Sequence, residues 1–229
     1  MDWEQFYREA DYDRCAYLAG EEMADLLARF LERVAGGGGA GGNTGGSGEF
    51  PADLASFGCG PAVVPFALAE RYPDLDVYGY DLSETVVRDN RRLADERGLD
   101  NLSFAVDELP DLSTDRRFDV VYCVATLYFV ADPEPALRAL YDRVRPGGHL
   151  IVNYPTAELQ QVVREEFDER KREAFHLVRD GENLITCERV GEVLDAEPRD
   201  YWAAVDADDV IEETPESPVV YVEKPDGDG

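Results

Sequence analysis

At 229 residues with 44% hydrophobic content, the chain is long enough for one domain with elaborations around a real core, and no bundle of small modules is needed. Its 50 Asp and Glu stand against 22 Lys and Arg, a formal charge of −28, and Lys171 and Lys224 are the only lysines. No basic, aromatic-interleaved patch argues for nucleic acid, although charge by itself does not exclude it.

The acids run through every segment instead of clustering, so adaptation to a salt-rich cytoplasm explains them better than an acidic face for a cationic partner. At molar salt the Debye length falls to about 3 Å and self-repulsion is screened. Cys15, Cys59, Cys123 and Cys187 stand far apart with no C-x-x-C pair, which predicts buried free thiols, no metal site and no disulfide framework. The start carries no basic region before an apolar run, and no segment approaches a membrane-spanning length. A soluble, cytoplasmic protein is expected.

In chain order, the aromatic and charged run 6–14 precedes Met23, Leu26, Leu27, Phe30, Leu31 and Val34, whose spacing predicts a one-faced helix. Residues 1–35 are read as an N-terminal helical lid. Residues 36–49 are almost pure Gly with small polar residues, a flexible linker spanning roughly 20 Å. Residues 50–155 alternate apolar runs with helical patterns, the mark of an α/β core. Strands are predicted at 54–57, 77–81, 102–106, 118–124 and 149–154. Ser83 and Asp132-Pro133 open helices, and Arg145-Pro146-Gly147-Gly148 closes the helix that carries Leu137, Leu140 and Val144. Beyond Pro155 a long charged helix is expected, with Leu159, Val162, Val163 and Phe167 inward. Residues 156–225 add helices and a closing strand at 218–224 to the same domain, and 226–229 form a disordered tail.

In a doubly wound sheet a ligand sits at the carboxyl ends of the strands. That places Gly58 to Gly60, Asp81, Asp107 with Glu108, Cys123 to Thr126, and Tyr154 around one crevice. Asp81 lies about twenty residues past the glycine turn, the spacing at which an acid accepts the hydroxyls of a ribose. Val63 stands where a dinucleotide fingerprint wants Gly or Ala, so an oxidoreductase is disfavoured.

Taken together, Ser56-Phe57-Gly58-Cys59-Gly60-Pro61-Ala62, Tyr80-Asp81, Phe118 to Val121 with Tyr128-Phe129-Val130, Asp132-Pro133, and Arg145 to Val152 resemble class I S-adenosylmethionine-dependent methyltransferases. The acid loading suggests a halophilic-archaeal type. The resemblance covers residues 52–155 and implies a Rossmann-like, doubly wound α/β sheet of seven strands, mostly parallel with a reversed last strand, plus the N-terminal helix. No sixth strand is legible. It implies S-adenosyl-L-methionine as cofactor, with Gly58, Cys59 and Gly60 at the methionine part and Asp81 with Leu82 at the ribose. Asp107 or Glu108 would reach the adenine amino group, and Cys123 and Val124 would lend backbone to the methionyl end. Two departures stand out: Ser56 replaces the usual acid, and Ala62 replaces the third glycine.

The reaction implied is direct displacement of a sulfonium-activated methyl group, which needs alignment and no nucleophilic residue. The acceptor expected is a small molecule, with Tyr128 and Tyr12 as candidates for acceptor contacts. His149 and His176 read as structural. The competing reading is a binding or regulatory protein that keeps the fold and transfers nothing, and Ser56 is the feature that sustains it. Aminopropyl transfer would want further acids in the acceptor cleft, which the sequence does not arrange.

Overall fold

The computed structural model describes residues 20–36, 49–207 and 217–226. Tyr12 with the aromatic run 6–14, Cys15, the glycine-rich stretch 37–48 and the tail 227–229 lie outside the described residues.

Helix α1 (Gly20–Ala35) buries Leu26, Leu27, Phe30 and Leu31 along the stripe that its spacing dictates. This stripe joins the main core, where it meets Leu54, Phe66, Tyr201 and Trp202. Arg29 and Arg33, one helical turn apart, donate to the carbonyls of Val205 (3.3 Å), Asp206 (3.0 Å) and Ala204 (2.7 Å). Helix-end carbonyls lack intrahelical partners, and the two guanidinium groups supply them.

Strands β1 (Asp53–Phe57), β2 (Asp76–Asp81), β3 (Leu102–Val106), β4 (Phe118–Cys123), β5 (Val144–Asn153), β6 (Arg199–Asp200) and β7 (Val219–Glu223) form one sheet in the order β3-β2-β1-β4-β5-β7-β6. Strands β1 to β5 are parallel, and β7 runs antiparallel to both β5 and β6. This is the seven-stranded, doubly wound sheet with a reversed last strand that the sequence predicts. The strand not found in the sequence is β6, which at two residues is too short to carry an alternation of apolar and polar positions. Strand β1 is buried at all five positions, as a central parallel strand must be.

Helices α2 (Val63–Arg71) and α3 (Glu84–Arg97) share the face of the sheet on which α1 and α9 (Tyr201–Ala204) pack. Helices α4 (Pro133–Asp142) and α8 (Cys187–Leu194) cover the other. Ser83 and Asp132 cap α3 and α4 by accepting from Val86 N and Glu134 N, as predicted. A third, smaller cluster joins α5 (Ala157–Glu165), α7 (His176–Asp180) and the 3-10 turn Leu127–Phe129.

Two expectations fail. The long charged helix after Pro155 is three short ones, α5, α6 (Glu169–Ala174) and α7, because Asp168 accepts from Lys171 N and restarts the helix instead of continuing it. Val144 and the Pro-Gly-Gly run belong to β5, not to the end of α4. Val144 pairs with Phe118, and a register shift between Phe118 and Val120 absorbs the extra residues while Gly147 turns through φ 74°. Among the described residues no helix is long and apolar enough to cross a membrane, and no cluster of His, Cys, Asp and Glu forms a metal site.

Candidate functional site

The sheet order reverses between β1 and β4, so the turns after β1, β2, β3 and β4 surround one crevice. The first three are tied to one another. Cys59 N donates to Tyr80 O at 2.9 Å, and Asp107 N donates to Asp81 O at 3.1 Å. The Asp81 carboxylate, 7% exposed, accepts from Gly60 N at 2.9 Å through one oxygen and from Ser83 N at 3.0 Å through the other. Gly60 in turn offers its carbonyl to Asn90 Nδ2 at 2.7 Å. The carboxylate at residue 81 is therefore held in one orientation by two backbone donors before any ligand arrives.

Both glycines of the turn adopt positive φ, 68° at Gly58 and 51° at Gly60, where a side chain is strained. At Gly58 there is a second reason for glycine. A Cβ there would come within 2.2 Å of Thr126 Oγ1, so the β4 turn rests directly on the β1 turn. Ala62, where the resemblance wants a third glycine, is forced to φ 60° with its methyl buried, and α2 starts there with no side-chain cap.

Asp107 is buried, and its carboxylate accepts from Glu108 N (3.1 Å), Ser113 N (2.7 Å) and Thr114 N (3.1 Å), which folds the loop after β3 around it. Glu108 is exposed. Val106, paired with Asp81 across the strands, and Leu82, next to it in the chain, are 42% and 46% exposed. Two large apolar side chains thus face solvent beside two buried carboxylates.

The β4 turn is pinned by two asparagines. Asn153 Oδ1, at the end of β5, accepts from Ala125 N at 2.8 Å, and Asn153 Nδ2 donates to the Tyr128 hydroxyl at 2.6 Å. Asn183 Nδ2 points at the carbonyls of Leu127 (3.2 Å), Tyr128 (3.1 Å) and Val130 (3.0 Å). Tyr128 is buried, its hydroxyl also bonds Ser217 Oγ at 2.8 Å, and burial pushes its phenol up to about 12.

Gly58, Cys59, Gly60, Asp81, Leu82, Asp107 and Glu108 thus form one continuous rim. Cys123 and Val124 adjoin it through Thr126, whose hydroxyl lies 3.3 Å from Val124 O and 3.4 Å from Gly58 O. Burial, and then the charge of Asp81, raise the Cys59 thiol well above its ordinary value, and burial pushes Cys123 up to about 12, so neither is a ready thiolate. Of the three described cysteines, all free, only Cys123 is buried as expected; Cys59 is half-buried and Cys187 exposed. Ser56 is buried and pairs in register with Tyr122 of β4 and Gly79 of β2. His149 packs against Phe30 and Tyr221, far in kind from a catalytic setting.

Sequence reasoning missed the roles of Asn90, Thr126, Asn153 and Asn183. For Asn90 a signal existed: a polar residue on the inner face of a helix, beside Val86 and Val87, requires a buried partner.

This architecture is shared with known proteins. The sequence profile described as "Methyltransferase domain" matches residues 56–200. The trans-aconitate 2-methyltransferase of Streptomyces coelicolor is 32% identical over 169 residues, 71% of this chain and 50% of that one. Among solved structures, an S-adenosylmethionine-dependent methyltransferase from Clostridium acetobutylicum aligns over 97% of this chain and 99% of its own, with TM-score 0.66 and 15% identity. The plantazolicin methyltransferase BamL, solved with a desmethylPZN analog and SAH, covers 97% of this chain and 94% of its own, with TM-score 0.67 and 11% identity. The chain belongs to the class I S-adenosylmethionine-dependent methyltransferase family. It spans 50%, 39% and 38% of the length of three curated relatives that it matches.

Proposed function

We propose that this chain binds S-adenosyl-L-methionine in the crevice between the β1 and β4 turns and transfers its methyl group to a small-molecule acceptor. The observation that carries the reading is the Asp81 carboxylate, fixed between Gly60 N and Ser83 N at the end of β2. A carboxylate whose orientation is already set binds ribose hydroxyls without first having to be ordered. The exposed pair Leu82 and Val106 beside Asp81 and Asp107 fits the rest of an adenosyl group, since a flat base needs apolar faces and a polar edge. Gly58, Cys59 and Gly60 would hold the methionine part with the backbone of Cys123 and Val124, and Asp107 or Glu108 would meet the adenine amino group.

When bound, the cofactor supplies a methyl group made electrophilic by its sulfonium. The chain's part is to orient donor and acceptor and to exclude water, and no residue need form a covalent bond. The family relative that acts on trans-aconitate supports a small-molecule acceptor. Acceptor choice is assigned to residues 1–35 and 156–225, which flank the crevice-forming core in the chain, and the acid loading to work in a salt-rich cytoplasm.

Calorimetric titration with S-adenosylmethionine and S-adenosylhomocysteine in molar KCl tests the reading, with Asp81→Ala as control. Heat from both ligands that the variant abolishes is expected; silence from the unmutated chain refutes it. The second reading, a binding protein without transferase activity, draws on the buried serine at position 56 in place of an acid. Binding without methyl transfer to any fraction of a cell extract would favour it.

A further inference from the structure

We infer that Asn153 and Tyr128 are positioning residues that hold the β4 turn in a strained shape, and that this shape sets the methionyl end of the cofactor crevice; the inference rests on the cofactor reading above. Ala125 sits at φ 60°, in the left-handed region that residues with a Cβ avoid. A strained residue persists only where its surroundings over-determine it. Here the restraint is the 2.8 Å bond from Ala125 N to Asn153 Oδ1, made by a side chain with 0% exposure.

Asn153 can do this only if its amide faces the right way. Its Nδ2 donates to the Tyr128 hydroxyl at 2.6 Å, which leaves Oδ1 for Ala125 N. The Tyr128 hydroxyl is held by Ser217 Oγ at 2.8 Å, and its ring packs on Phe129 and Phe175. A directed chain of hydrogen bonds therefore runs from Ser217, two residues before β7, through the 3-10 turn and the end of β5, to the β4 turn. Its consequence is the seat of Thr126 against Gly58, which fixes the spacing of the β1 and β4 turns. Tyr128, bonded on both sides and buried, holds geometry instead of exchanging a proton with an acceptor.

Four variants test this: Asn153→Leu, Asn153→Asp, Tyr128→Phe and the double variant Asn153→Leu with Ala125→Gly. Asp keeps an acceptor for Ala125 N and offers its other oxygen to the Tyr128 proton. Glycine at 125 removes the strain that Asn153 opposes. Two measurements are made on each folded chain: the affinity for S-adenosylhomocysteine by calorimetry, and backbone hydrogen exchange over residues 124–130 without ligand. Asn153→Leu should weaken binding about tenfold or more, the worth of one buried hydrogen bond, and speed exchange in that segment. Tyr128→Phe should do the same to a smaller degree, while Asn153→Asp and the double variant should recover most of the affinity. Unchanged binding by Asn153→Leu overturns the inference, and so does failure of both Asn153→Asp and the double variant to recover. If the unmutated chain itself binds no S-adenosylhomocysteine, the cofactor reading fails and takes this inference with it.

Discussion

Asn90 Nδ2 donates to the carbonyl oxygen of Gly60 at 2.7 Å, a bond that spans thirty residues and ties α3 to the middle of the glycine turn. With Gly60 N held by Asp81 at 2.9 Å, both polar groups of this one glycine are fixed by side chains. The turn is rigid at Gly60 although glycine has the loosest backbone of any residue.

Replacing Asn90 by Leu keeps the bulk of the side chain and leaves the Gly60 carbonyl with only a long, weak contact from the Cys59 thiol at 3.8 Å. An unsatisfied buried acceptor costs about 1–3 kcal/mol. We expect denaturant unfolding of Asn90→Leu to show a loss in that range, with weaker S-adenosylhomocysteine binding by calorimetry. A variant as stable and as tight as the parent would mean that the turn does not depend on this bond.

Asp53 lies at the opposite end of β1 from the crevice and gathers a different network. Its carboxylate, 3% exposed, meets both terminal nitrogens of Arg145 at 2.7 Å, Arg116 Nη2 at 3.3 Å and Asp119 N at 2.9 Å. Arg145 and Arg116 reach solvent, 39% and 43% exposed, and Arg145 keeps Asp119 at 2.7 Å, so the main loss on removing Asp53 is the acceptor for Asp119 N and the bidentate pair, about 1–3 kcal/mol. Asp53→Ala should show that loss in denaturant unfolding yet bind S-adenosylhomocysteine as the parent does wherever it is folded. Weakened binding by the folded variant would place the network in the site and not beneath it.

The contrast between these two asparagine and aspartate networks marks what was legible in the sequence. Strands β1 to β5 are largely apolar runs, the first three closed by glycine or acid, and such runs can be read because burial demands them. The rim from Gly58 to Glu108 was legible for the same reason, as glycines and acids at strand ends. Asn153 and Asn183 were not, since an asparagine acts through a partner that only the folded chain supplies; Asn90 is legible as an inward polar residue of a helix, but its partner Gly60 is not. The sequence places Thr126 at the crevice but not its seat on Gly58, because the two are distant in the chain. Strand β6 and the division of residues 157–180 into three helices depend on tertiary packing and on one N-cap at Asp168, which a hydrophobic pattern does not record.

His149 carries a pH dependence whose sign follows from its setting. Burial first, and then the positive charge of Arg199, lower it to about 4, and it packs between the rings of Phe30 and Tyr221 with Glu223 opposite on β7. An unfolded histidine titrates near 6.5, so between about 6.5 and 4 the unfolded chain binds a proton that the folded one refuses. Its contribution is complete above that window and is lost as pH falls through it. Thermal unfolding from pH 7 to 5 should therefore decline less steeply in His149→Phe, which fills the site and cannot titrate, than in the parent. Parallel profiles would show that His149 is not the group responsible.

Salt should stabilise the protein, because screening acts on it in two opposed ways of unequal size. Exposed pairs such as Arg71–Asp25 at 3.0 Å, Arg92–Glu96 at 2.7 Å and Arg97–Glu70 at 2.8 Å weaken when screened. Exposed ion pairs contribute only about 0–1 kcal/mol each, so their loss is small. Against it stands a formal charge of −28, whose mutual repulsion acts over a Debye length of about 10 Å at 0.1 M but only about 3 Å at 1 M. The acids outnumber the bases by more than two to one, 50 to 22, so most have no cation to lose and gain directly from screening. We expect the melting temperature to rise steadily from 0.1 to 2 M KCl, with most of the rise below 1 M, where the Debye length changes fastest. A flat or falling curve would show that the ion pairs outweigh the excess acid, and would remove the reason for reading the charge as adaptation to salt.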